Sequence, residues 1–237
     1  MTVATVAAAF FVGNQQASLN FLISHGYIKT FSKSRFNRRL QALPESLWQL
    51  ALWMLAQAHQ VANKDNYHIV DSFPVPVCRN IRIRRCKIYS EDSFRGWCES
   101  KKEYFFGLKV CLIVTREGMP VELLLSRGST ADIVSLRSMD LNLPEEATLF
   151  GDSGFLDRLF ESDLLEEAGI RLVVPRRKNM KEQLEGCLSY ICQRVRKRVE
   201  TTFRLLTERL ARSIHAVTAT GFERKIMLTV LAFSILG

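Results

Sequence analysis

A change in hydrophobic period near residue 65 is the feature that most restricts what this chain can fold into. Before it, apolar residues recur at helical spacing. Thr2 to Val12 reads as a short apolar helix, Asn14 opens a second that stops at His25-Gly26, and Ser32 opens a third whose start is basic. Pro44 separates that helix from another over Trp48 to His59. Short helices joined by tight turns fit a helix-turn-helix DNA reader, and equally a bundle that only packs on its neighbour. The polar, aperiodic stretch Ala62-Asn63-Lys64-Asp65-Asn66 ends this region. Residues 1–62 are therefore expected to form a helical N-terminal region and 66–237 a second domain.

Beyond the boundary strands alternate with helices. Tyr67 to Asp71 is a short β-rich run ended by Ser72 and the prolines Pro74 and Pro76. Phe105 to Thr115 and Pro120 to Leu125 form a hairpin across Arg116-Glu117-Gly118-Met119. Ala131 to Met139 is helical, Ala147 to Asp152 is a buried strand, Leu156 to Ala168 a helix, and Ile170 to Val174 a last strand. One long helix covers Lys181 to Arg212, with Leu188, Ile191, Val195, Val199, Phe203, Leu206 and Leu210 along one stripe. A final apolar helix spans Phe222 to Leu236. This order implies a mixed sheet with helices packed on it.

Composition narrows the class further. Among 237 residues, 47% are apolar and 24% charged, which argues for a packed core and against disorder. No apolar run approaches the roughly 20 residues that span a bilayer, and Met1 to Val12 lacks the basic flank of a secretion signal. Six cysteines include no C-x-x-C pair, so neither a zinc site nor a disulfide framework is expected. A cytoplasmic protein is the expectation. The net charge of +9 proposes a polyanionic partner, nucleic acid before membrane.

Two acids close buried-looking strands: Asp71 after Tyr67-His68-Ile69-Val70, and Asp152 after Thr148-Leu149-Phe150-Gly151. A carboxylate there is costly to bury unless it is paired or bound to a cation. On adjacent strands the two would lie about 5–8 Å apart, given strand spacings near 4.8 Å, where a divalent cation relieves their repulsion. Glu200 sits beside the core position Val199 on the long helix, with Arg196 and Arg204 four residues either side, so an i±4 ion pair is its simplest reading. Asp132, after Ser129-Thr130-Ala131, reads as a helix N-terminal acid, with a place beside the other acids as the alternative, and Asp157 also starts a helix. None of the four histidines sits in a catalytic pairing, and His68 reads as a strand residue.

The order Asp71, Asp152, Glu200 resembles the DDE transposases of bacterial insertion sequences, most of all the group numbered nine-eight-two. The similar stretches are Val70-Asp71-Ser72-Phe73-Pro74-Val75-Pro76-Val77, Phe106-Gly107-Leu108-Lys109-Val110, Gly151-Asp152-Ser153-Gly154-Phe155 and Arg196-Lys197-Arg198-Val199-Glu200-Thr201-Thr202-Phe203. The resemblance implies a ribonuclease-H-like fold, an α/β domain whose mixed five-stranded sheet is flanked by helices, here with a small all-helical N-terminal region. It implies metal-dependent cleavage and strand transfer of an insertion sequence, with Asp71, Asp152 and Glu200 as catalytic and metal-holding residues for two Mg²⁺ ions, Mn²⁺ being the alternative. Carboxylates suit a hard cation that keeps several waters, and two ions can serve both the attacking and the leaving oxygen of an in-line displacement.

Double-stranded DNA, as element ends and target, is the implied partner, handled by a homodimer or higher oligomer associated with the bacterial nucleoid. Arg82, Arg84, Arg85, Lys109, Arg176, Arg177, Lys178, Arg196 and Arg198 are the expected DNA contacts, clustered near the acids where they would neutralise phosphates. The related pattern Tyr-x-x-Arg-x-x-x-Glu-x-x-x-x-x-x-Lys is only half present: Arg196 and Glu200 fit, whereas Gln193 and Thr207 stand at the Tyr and Lys places. Relatives of this kind carry more helical sequence before the position of Met1, so a shortened form is expected. Two alternatives keep the fold: a truncated copy that binds DNA and regulates without catalysis, and a metal-dependent nuclease.

Overall fold

The computed structural model describes residues 1–236 except 100, 177–179, 181–183, 185, 211–213 and 215, and leaves out the side chain of Arg196. It comprises two compact units, Met1–Leu55 with Arg204–Gly237, and Ala56–Phe203.

The first unit is helical. It contains α1 (Thr2–Phe10), α2 (Gln15–Ser24), α3 (Lys33–Ala42), the first half of α4 (Glu45–Ala62) and a C-terminal helix, Ala219–Leu236. Local chemistry sets the starts. The Asn14 side chain accepts from the Ala17 amide at 3.1 Å, and Ser32 Oγ accepts from the Arg35 amide at 3.3 Å, each satisfying a donor that the first helical turn leaves without a partner. Val12 and Gly13 turn the chain between α1 and α2 through positive φ of 49° and 76°. The C-terminal helix contacts α1, and its Leu228, Leu231 and Ala232 share a core with Ala4, Leu19 and Trp48. Its contacts thus group it with the N-terminal helices, whereas strand–helix alternation alone had placed it with the sheet.

The second unit is built on six strands: β1 (Tyr67–Cys78), β2 (Arg95–Cys98), β3 (Glu103–Thr115), β4 (Pro120–Arg127), β5 (Thr148–Phe150) and β6 (Arg171–Val173). Their order is β2-β3-β1-β5-β6, with β4 also paired to β3. The β1, β2, β3 and β4 pairings are antiparallel, while β1–β5 and β5–β6 are parallel. Successive residues serve opposite faces. Leu149 and Leu172 join Val70, Cys111 and Ile113 on one face, with Leu136 of α5 (Asp132–Arg137) and Leu164 of α6 (Arg158–Ala168). Phe150 and Val173 join Cys192, Ile191 and Val195 of α7 (Gly186–Arg209) on the other. A mixed sheet covered on both faces by helices is compatible with the ribonuclease-H-like fold. All five expected strands are present. β2 adds a sixth, hidden in Arg-Gly-Trp-Cys because four residues with a glycine carry no alternating signal.

One strand is longer than its sequence suggests. β1 runs through both prolines to Cys78, paired to β3 throughout. The Gly107 carbonyl accepts from the Gly128 amide at 3.1 Å and so faces away from β1. Pro76, opposite Gly107, then sits in a pair without ladder hydrogen bonds, and Pro74, two residues earlier, has the same orientation. Both missing N–H groups face the side where β5 has already ended, since β1–β5 pairing stops at Ile69. Proline is tolerated on such an edge. The expected helix over 181–212 is α7, and residues 181–183, 185, 211 and 212 of that expectation lie outside the described residues.

Candidate active site

Sheet register sets the site. The last parallel pair between β1 and β5 is Ile69–Phe150, and Asp71 and Asp152 each follow two residues later. Asp71 thus lies within β1 and Asp152 just beyond the end of β5, both where the pairing of the two strands stops. Asp71 is partly buried and its Oδ1 accepts from the Ser72 amide at 2.7 Å. Asp152, also partly buried, ends its strand by capping the short turn Ser153–Phe155, and its Oδ1 accepts from the Gly154 amide at 2.8 Å. Such local bonds help to fix each carboxylate.

Asp132 lies beside this pair. A Cβ placed on Gly154 would stand 2.9 Å from Asp152 Oδ1 and 3.0 Å from Asp132 Oδ2, so both carboxylates crowd the bare Cα of one glycine. The expectation that Asp132 caps its helix is corrected here. The cap position of α5 is Ala131, with no side-chain cap bond. Asp132 Oδ1 instead accepts from Ser72 Oγ at 2.5 Å and from Lys109 Nζ at 3.1 Å, while Lys109 also donates to the Thr130 carbonyl at 2.8 Å. Asp157 does cap α6, accepting from the Phe160 amide at 3.2 Å. Asp132, Asp71 and Lys109 lie near Cys111, whose thiol is pushed up to about 12 by burial first and then by the charges of Asp132 and Asp71. That thiol is neutral and not a candidate nucleophile.

Glu200 is exposed on α7, directly after the buried Val199. One helical turn further, the Phe203 ring packs tilted against Phe73 with centroids 4.9 Å apart. Phe73 is two residues beyond Asp71, so this ring contact ties the α7 turn that carries Glu200 to the stretch of β1 that carries Asp71. Among the described residues no three His, Cys, Asp or Glu side chains converge closely enough to enclose a metal ion. As donors Asp71, Asp152 and Glu200 offer only carboxylate oxygens, the chemistry that Mg²⁺ and Mn²⁺ prefer.

The expected DNA contacts separate into groups. Arg82, Arg84 and Arg85 are exposed on the 3₁₀ stretch Asn80–Arg85 that follows β1. Arg198 is exposed and its Nε donates to the Glu117 carbonyl at 3.0 Å. Lys109 is turned to Asp132, and Arg176 grips Glu161 through two 2.6 Å hydrogen bonds with both side chains largely buried. Arg177, Lys178 and the Arg196 side chain lie outside the described residues. A groove of about 480 Å³ gathers Arg116, Arg194 and Arg198 with Tyr67 and Tyr190. Arg116, which also pairs with Asp65, and Tyr190 were not singled out in the sequence, where one is a turn residue and the other a lone exposed aromatic. Ser72 was missed too, because a serine after an acid carries no signal of its own.

His68 is fully buried in β1, bonded to Asn63 and to the Asn66 carbonyl, with its pKa lowered by burial. It is a core residue. Among the described residues no helix is long and apolar enough to cross a membrane. The sequence family described as Transposase DDE domain matches residues 61–216, about two thirds of the chain, a span that contains all three acids. No curated protein matches the chain.

Proposed function

Because the chain belongs to the transposase DDE domain family, we propose that it cuts DNA strands at the ends of an insertion sequence of the nine-eight-two group and transfers them to target DNA. Asp71, Asp152 and Glu200 are its catalytic acids. The observation that carries this reading is the placement of Asp71 and Asp152, each two residues past the Ile69–Phe150 pair, with the Glu200 turn tied to β1 through Phe203 and Phe73.

In the cleavage step water oxygen bonds to phosphorus, the P–O3′ bond breaks, and the 3′ oxygen leaves as a hydroxyl once protonated. In the transfer step that hydroxyl oxygen attacks a target phosphorus and displaces the target's own 3′ oxygen, so the number of phosphodiester bonds is unchanged and no external energy source is needed. Asp71, Asp152 and Glu200 would hold Mg²⁺ or Mn²⁺, two ions in all, which when bound would supply positive charge to the attacking and leaving oxygens. Asp71 and Asp152 are held in place by their bonds to the Ser72 and Gly154 amides. Lys109 offsets the charge of Asp132, which would otherwise add to the repulsion felt by an approaching phosphate. Arg82, Arg84, Arg85 and Arg198 bind the DNA backbone, and in the same reading so do Arg177, Lys178 and Arg196. Such contacts are independent of base sequence and weaken with salt. A homodimer or higher oligomer brings two ends together.

The test is Mg²⁺-dependent cleavage and joining of duplexes that carry the element's ends, comparing the chain with Asp152→Asn. Cleavage and joining by the wild type alone support the reading. Cleavage without joining reduces it to a nuclease, and DNA binding with neither activity replaces it with a regulator.

A further inference from the structure

The helical unit contains a cavity of about 430 Å³ that the proposed catalysis does not use. Its wall brings together Lys33, Arg209 and Lys225, while Asn14, Gln15 and Gln16 contribute the start of α2. No carboxylate is among the described residues that line it. Lys33 and Arg209 alone bring two positive charges to one concavity, where like charges repel each other. The Lys225 ammonium is pushed below its ordinary pKa by burial first and then by the charge of Lys33.

Arg209 shows an unmet need at the level of one atom. Its guanidinium lies 5.3 Å from the centre of the Phe233 ring, and its Nη1 is buried with no hydrogen-bond partner among the described residues. A buried donor left without an acceptor is uncommon and unfavourable. At α2, the Ala17 amide is taken by Asn14, whereas the amides of Gln15 and Gln16 precede the first intrahelical bond and no acid stands in that turn. Lys33 opens α3, where the helix dipole disfavours a cation, and no acid balances it there either.

We propose that this cavity is a phosphate-binding site, in which Lys33, Arg209 and Lys225 hold a phosphate group at the start of α2. Guanidinium and ammonium groups with free helix amides match phosphate oxygens in both charge and hydrogen bonding. The phosphate belongs either to a DNA backbone or to a free phosphate compound. Only the first source rests on the transposase reading.

The probe is inorganic phosphate, titrated without divalent metal into the full chain and followed by ³¹P line broadening. Lys33→Gln and Arg209→Gln are each expected to weaken binding about tenfold, the loss of one charge-assisted bond. Arg38→Gln removes the same charge from an exposed position on α3 outside the lining and is expected to change nothing. Lys33 is exposed, so its variant remains informative if Arg209→Gln fails to fold. Equal affinity in all proteins, or equal weakening by Arg38→Gln, overturns the site. Where phosphate binds as expected, displacement by a 20-base-pair duplex assigns the site to the DNA backbone, and no displacement assigns it to a free phosphate compound. Because no metal is present, a failure of DNA cleavage leaves this result untouched.

Discussion

The pairing of Asp132 with Lys109 is a quantitative consequence of how the acids are arranged, and a double-mutant cycle reads it directly. The carboxylate accepts from Lys109 Nζ at 3.1 Å and from Ser72 Oγ at 2.5 Å, with side chains 27% exposed for Asp132 and 14% for Lys109. Asp132→Asn keeps an oxygen for the Ser72 hydroxyl and removes the charge. Hydrogen bonds to charged groups contribute about 1.5–3 kcal/mol, and breaking a fully buried ion pair costs about 3–5 kcal/mol. Screening at partly exposed Asp132 lowers the expectation to about 2 kcal/mol. Lys109→Met, which also strands the Asp132 charge, should cost about the same.

If the two effects are one interaction, the double variant loses about 2.5 kcal/mol instead of about 4, a coupling near 1.5 kcal/mol. Urea unfolding followed by a probe in the sheet unit measures each value, and unchanged slopes certify that only stability has moved. Additivity within about 0.5 kcal/mol would refute the pairing, and with it the claim that Asp132 is held beside Asp152 by a charge.

Three further outcomes follow from the same geometry. His68 is buried with a lowered pKa, so the unfolded chain binds the extra proton first: its contribution is present above about pH 6.5 and is lost as pH falls below that value. His68→Gln should flatten this acid limb of the unfolding curve, and an unchanged limb would contradict the assignment. Gly154→Ala would place a methyl 2.9–3.0 Å from the Asp152 and Asp132 oxygens. Displacing them should lower cleavage by about tenfold or more with the fold retained by circular dichroism, and normal cleavage would remove these acids from the reacting position. Glu200→Gln, at an exposed position, should change unfolding energy by less than about 0.5 kcal/mol and abolish cleavage, whereas an ion-pair role predicts some stability loss and full activity.

Much of this was legible from periodicity. The five strands with alternating or continuous apolar runs, the α7 stripe and the helix starts at Asn14 and Ser32 all announce themselves in the sequence. The extension of β1 past Asp71 did not, because proline forbids a central strand but not an edge, and which side of a strand is free is a property of the whole sheet. The C-terminal helix reads as apolar, yet nothing within it says that Leu228 and Leu231 pack with Trp48. The sequence marked Asp71 and Asp152 by their shared position after apolar runs, but it ended β1 at Asp71, where the strand in fact runs on to Cys78. The role of Asp132 was not legible: its helix-start context is the same as that of Asp157, and only the fold brings Ser72 and Lys109 to one and leaves the other as a cap.

The central claim is that Asp71, Asp152 and Glu200 together hold divalent cations. Titrating Mn²⁺ into the full chain and counting free ions by electron paramagnetic resonance tests it without DNA. The account predicts binding by the wild type and at least tenfold weaker binding by Asp71→Asn and Asp152→Asn, with a smaller loss for Glu200→Gln. Equal Mn²⁺ affinity in the wild type and Asp152→Asn would contradict it.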